Sequence, residues 1–188
     1  MKIYFTASIR GKSDFLEHYQ NIFSTIEELG NKNIDDFLLR SESEDLYDST
    51  HQKNKEIYDE TVKNIKSADI IVLEVSEHSL SMGYVMQKGL EMNKPVILLY
   101  SLGHFPFFAS TINDEKLQVV EYTQDSLKEV LAAALDYAQN ISDTRFNFFV
   151  SAKHINYLDW ISKNLKIPRS VYLRKLIEND MEENLDYK

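Results

Sequence analysis

The stretch Ser67–Tyr100, SADIIVLEVSEHSLSMGYVMQKGLEMNKPVILLY, constrains the fold more than any other part of the chain. Ile70–Leu73 and Pro95–Tyr100 are short continuous apolar runs, the pattern of strands covered on both faces. Between them Tyr84, Val85, Lys88, Gly89 and Met92 recur at helical spacing. Two such strands joined by one helix make a βαβ unit, with parallel strands and a right-handed crossover. Ligands of open α/β sheets sit beyond the carboxyl ends of the strands. The unit therefore points to Glu74–Ser79 and to the helix start at Ser81–Tyr84 as a site.

The rest of the first 140 residues extends this unit. Ile3–Ala7 reads as a first strand and Ser8–Lys12 as a turn. A helix follows from near Asp14, with Phe15, Tyr19, Ile22, Phe23, Ile26 and Leu29 on one face and Gly30 closing it. The turn puts backbone N–H groups, Ser8 and Arg10 at a helix start. That suits a phosphate, and it equally suits a plain polar turn. Asn33–Leu39 is expected to be the second strand. Residues 40–54 read as a long polar loop, either a flap over the site or ordinary surface. A helix is expected over Glu56–Lys66 with Ile57, Tyr58, Val62 and Ile65 inward, a fifth strand over Leu117–Tyr122, and a last helix over Gln124–Gln139. The sum is a five-stranded, doubly wound, Rossmann-like parallel sheet over residues 1–140.

Composition narrows the class. No apolar run is long enough to cross a bilayer, so no membrane partner is expected. Met1–Tyr4 leads straight into a strand, which argues against a signal peptide. With no cysteine and no metal-ligand spacing among the five histidines, neither metal nor cofactor is called for, and a cytoplasmic setting fits. The net charge of −9 argues against loose nucleic-acid binding by the whole surface, but the charge is uneven. Residues 144–175 carry a net +6 within an otherwise acidic chain.

That basic island lies beyond a polar linker, Asn140–Thr144. Arg145–Val150 alternates in the manner of a strand, and Ser151 can cap a helix bearing Ile155, Leu158, Ile161 and Leu165. Ile167–Ser170 turns into a second helix with Val171, Leu173, Leu176, Ile177 and Met181. One strand and two helices are too little chain to close a core. The expected partner is the same segment of a second chain.

Two resemblances follow from these residues. Tyr4–Gly11, Ala68–Val75 and Ser79–Tyr84 resemble, in order and spacing, the nucleoside 2-deoxyribosyltransferase family, nearest its 2′-deoxynucleoside 5′-phosphate N-hydrolase branch. The resemblance implies a homodimer, or a higher even oligomer, that binds a nucleoside or nucleotide at the strand ends. It also implies N-glycosidic chemistry by a glutamate that attacks the anomeric carbon. Tyr4 and Glu74 match active-site positions, and Ser8, Arg10, Gly11, Ser79, Ser81 and Gly83 fall where the nucleotide would be held. Three positions depart from the pattern. The nucleophile position is Val85, which has no carboxylate to attack with. A family aspartate falls on Thr61, and a phosphate-loop glycine appears as Ser81. The expectation is therefore a nucleotide-binding protein without the glutamate nucleophile. The alternative is an active N-glycosidase or deoxyribosyltransferase that uses a relocated carboxylate, Glu74 or Glu77.

The second resemblance, over residues 144–184, is to ribbon-helix-helix modules. It implies a β-α-α unit whose strands pair across a dimer, presenting Arg145, Asn147 and Phe149 to DNA while the helix start at Arg169 and Ser170 meets a phosphate. Phe149 departs from the polar residue common at its position. DNA contact and dimerisation alone both remain open for residues 144–188.

Overall fold

A computed structural model describes residues 1–41, 50–141 and 148–184. The chain divides into two compact units, Met1–Thr144 and Arg145–Lys188.

In the first unit, β1 (Lys2–Ala7) leads through a single 3-10 turn, Ile9–Gly11, into α1 (Lys12–Glu28). The helix ends in a Schellman closure. Gly30, at φ 77°, donates its N–H to Glu27 O at 2.9 Å, and Asn31 N donates to Ile26 O at 3.2 Å. β2 is only Lys32–Asn33, against the expected strand over Asn33–Leu39. The cause is local: the Asp35 carboxylate accepts from Phe37 N at 3.0 Å, and Phe37–Arg40 closes into a helical turn, α2. Residues 42–49 of the expected loop lie outside the described residues. α3 (His51–Ser67) begins ahead of the expected Glu56 because Thr50 caps it, accepting from Lys53 N at 3.3 Å. Ile65 faces inward as expected, whereas Tyr58 is 50% exposed. β3 (Ile70–Glu74), α4 (Leu80–Glu91), β4 (Val96–Ser101), β5 (Leu117–Tyr122) and α5 (Leu127–Asn140) complete the unit.

The five strands are all parallel, in the order β2-β1-β3-β4-β5. One face packs Ile3, Phe5, Ile70, Val72, Ile97 and Leu99 against α1 and α5. The other packs Tyr4, Ile71, Leu73, Val96 and Leu98 against α3 and α4. Double coverage is why β3 and β4 read as unbroken apolar runs. Each large apolar side chain buried this way contributes about 1.5–3 kcal/mol. The strand order reverses between β1 and β3, the switch point at which open α/β sheets form a ligand crevice.

In the second unit, α6 (Ala152–Asn164) and α7 (Arg169–Glu183) stand as expected. Ser151 occupies the first cap position, but its hydroxyl meets His154 Nδ1 at 3.0 Å rather than a backbone N–H. Tyr157 stacks on Trp160, and its hydroxyl lies 3.2 Å from that of Tyr172. Of the expected strand, Arg145, Phe146 and Asn147 lie outside the described residues, and Phe148–Val150 form no strand. A ribbon strand needs a second strand for its ladder, and the described residues of this unit offer none. No residue of α7 is buried. Among the described residues, no helix is long and apolar enough to cross a membrane.

Candidate functional site

β1 and β3 are neighbours, with Ala7 opposite Glu74, so the loops that leave them must meet. They touch at Gly11. A Cβ there would lie 2.5 Å from Tyr19 Oη and 2.7 Å from Glu77 Cβ, so glycine is what permits the close approach. Ser8 is buried, and its carbonyl accepts from Gly11 N and from Tyr19 Oη, both at 3.1 Å. Arg10 is exposed on the turn. Lys12, first in α1, is buried. Its Nζ donates to Leu39 O at 3.0 Å and to Ser41 O, fixing that segment to the helix start. Opposite, Ser79 stands at the cap of α4, where its carbonyl accepts from Gly83 N at 3.1 Å and its hydroxyl makes no cap bond. Ser81 and Gly83 are exposed, and a Cβ on Gly83 would meet nothing within 4 Å. The six expected nucleotide-binding residues, Ser8, Arg10, Gly11, Ser79, Ser81 and Gly83, thus share the carboxyl edge of the sheet at the switch point.

Glu74 and Tyr4 are not brought together, because strand parity sends them to opposite faces. Glu74 follows Ile70 and Val72 toward α1 and α5 and is fully buried. Its carboxylate accepts from the Ser76 hydroxyl, from Ser76 N at 3.3 Å and from Tyr122 Oη at 3.3 Å. The network continues outward. Tyr122 Oη lies 2.9 Å from His18 Nδ1, Ser101 N donates to Ser76 Oγ at 2.8 Å, and His104 Nδ1 lies 3.1 Å from Ser76 O. Burial pushes the Glu74 carboxyl above its ordinary value, against the pull of the Ser76 and Tyr122 hydrogen bonds. Burial, and then the Glu74 charge, push the Tyr122 and Tyr19 phenols up as well. Here Glu74 anchors the loop after β3.

Tyr4 faces α3 and α4. Burial pushes its phenol up to about 12, opposed by hydrogen bonds with the Thr61 and Thr6 side chains. Val85 shares this face, 3% exposed and packed in one apolar cluster with Tyr4, Leu73, Met82 and Met86. Above them the hydroxyls of Tyr58 and Tyr84 meet at 2.8 Å, joining α3 to α4. Tyr122, His18 and His104 were not legible as site residues. Each becomes one through a contact across distant segments, for which a single sequence carries no signal. In the second unit, Phe149 and Ser170 are exposed, and Arg169 is engaged by Asp159. Among the described residues, no group of three or more His, Asp or Glu is placed to hold a metal.

Fold and loops together define an open α/β protein whose β1 and β3 loops meet at the switch point of the sheet. No protein-family model matches the chain. The 5-hydroxymethyl-dUMP N-hydrolase of Tetraodon nigroviridis is 28% identical over 135 residues, spanning 70% of this chain and 94% of its own length. A Syntrophotalea carbinolica protein bearing the name 2′-deoxynucleoside 5′-phosphate N-hydrolase 1 is 31% identical over 131 residues, 69% of this chain and 89% of its own length. The solved Clostridium botulinum CMP N-glycosidase BcmB superposes on 72% of this chain and 99% of its own, with a TM-score of 0.49 and 11% identity. The chain belongs to the 2′-deoxynucleoside 5′-phosphate N-hydrolase family.

Proposed function

We propose that the first unit binds a 2′-deoxynucleoside or its 5′-monophosphate at the carboxyl edge of the sheet and leaves the N-glycosidic bond intact. The carrying observation is Val85. Where the family resemblance implies a glutamate, the chain has an aliphatic side chain enclosed among Met82, Met86 and Leu73. Cleavage by this route needs a carboxylate aligned with the anomeric carbon. The one buried carboxylate among the described residues, Glu74, lies on the other face with its oxygens occupied by Ser76 and Tyr122. The names of the relatives support a nucleotide-type ligand. The test is incubation with deoxynucleosides and their 5′-monophosphates, following thermal shift and free-base release together. Stabilisation without base release is expected, with Val85→Glu gaining release. Base release by the wild type, lost in Glu77→Gln, would establish the relocated-carboxylate reading instead.

The second unit is proposed to join two copies of the chain. What favours this is α7, in which no residue is fully buried and which leaves Val171, Leu176, Ile177 and Met181 exposed along it. A second copy supplies the same apolar face in return. Contact of Arg145, Asn147, Phe149, Arg169 and Ser170 with DNA is the further step. A salt-sensitive mobility shift of the full-length protein with genomic fragments tests it.

A further inference from the structure

The ligand edge carries a feature that bears on ligand class, and its meaning rests on the nucleoside-binding reading above. The turn that would receive a 5′-phosphate is Ser8–Lys12, at the start of α1. Glu77 lies over it: its Cβ is 2.7 Å and its Cγ 3.2 Å from the Cβ that Gly11 lacks. The carboxylate is one bond further on, and it makes no ion pair among the described residues. Of the turn's two cations, the Lys12 ammonium donates to Leu39 O and Ser41 O, and Arg10 is exposed, where solvent and salt weaken its field. The Tyr19 phenol in the same cradle registers the sign of the potential. After burial, the charges of Glu74, Glu77 and Asp14 all push it up.

We propose that Glu77 excludes the 5′-phosphate and makes this edge selective for the free 2′-deoxynucleoside. A phosphate in the Ser8–Lys12 turn would meet a carboxylate of like charge at close range, while an uncharged 5′-hydroxyl can donate to it. The selectivity differs from that of the relatives named for 5′-phosphates. The experiment is calorimetric titration of the full-length protein with the four deoxynucleosides and their 5′-monophosphates, for the wild type and Glu77→Gln, at low and high salt. The wild type is expected to bind at least one deoxynucleoside about tenfold or more tightly than its monophosphate, a gap of about 1.4 kcal/mol. The gap should narrow in Glu77→Gln and at high salt. A monophosphate bound as tightly as its nucleoside, or a gap unchanged in Glu77→Gln, overturns the selectivity and leaves the binding reading standing. Failure of every compound to bind the wild type removes both.

Discussion

Two residues, Val85 and Glu74, decide how the edge of this sheet behaves, and they do so by environment as much as by chemistry. Val85 is where an apolar cluster reaches the position of the expected nucleophile. Glu74 is a fully buried carboxyl, so its neutral form is favoured on folding. Its folded pKa is raised, so the native state binds the proton more tightly. The stability that Glu74 contributes is present in acid and is lost as pH rises from its ordinary value of 4.5 through the folded value. Glu74→Gln keeps an acceptor for Ser76 and Tyr122 without the charge. Its Tm relative to wild type should therefore climb with pH across that window, and a difference that stays flat or falls would count against the assignment. Burial lowers the His18 pKa and gives the opposite slope, but this is common to both proteins and cancels in the difference.

Among the elements, β1, β3 and β4 were legible because strands buried on both faces read as plain apolar runs. β2 was not, since two paired residues leave no pattern, and the Asp35 turn that ends it looks like strand continuation. The early start of α3 was hidden by the polar run His51–Lys55, helical through its Thr50 cap rather than through any apolar period. The same continuity that revealed β3 concealed its parity. In an unbroken apolar run nothing marks which residues face α1 and which face α4, so the separation of Glu74 from Tyr4 could not be read. The contact of Glu77 with Gly11 was equally hidden, since it depends on the register of β1 with β3. α4 lies close to the sheet at Gly89, where a Cβ would come within 2.5 Å of Ile71 Cδ1 and 3.0 Å of Val96 Cγ2. Both neighbours are fully buried. Gly89→Ala should cost about 1–3 kcal/mol in a urea melt despite alanine's better helix propensity. A neutral result would mean that α4 is free to lift.

For the whole molecule, the two units differ in what makes them stable. The first closes its own core on both faces of the sheet. In the second no residue of α7 is buried, and under the two-copy proposal its integrity would depend on mass action. Sedimentation of the full chain should show a dimer at micromolar concentration that dissociates on dilution. Leu176→Asp with Ile177→Asp should shift it to monomer without altering the far-ultraviolet signature of the α/β unit. A monomer at every concentration would leave the exposed face of α7 without its proposed occupant.

The placement of Glu74 and Val85 on opposite faces also makes the sheet a partition. Among the described residues, the hydrogen-bond network of Glu74 and the apolar cluster around Val85 have no member in common, so a perturbation on one side has no direct side-chain route to the other. Energetically they should act as independent compartments. The destabilisation from Val85→Glu and the effect of Glu74→Gln at a fixed pH should sum in the double variant to within about 0.5 kcal/mol, as expected for uncoupled sites. A larger residual in the double-mutant cycle would reveal coupling through the strand ends. If the cycle closes, catalytic groups can be grafted onto the Val85 side while the loop anchor behind it stays undisturbed.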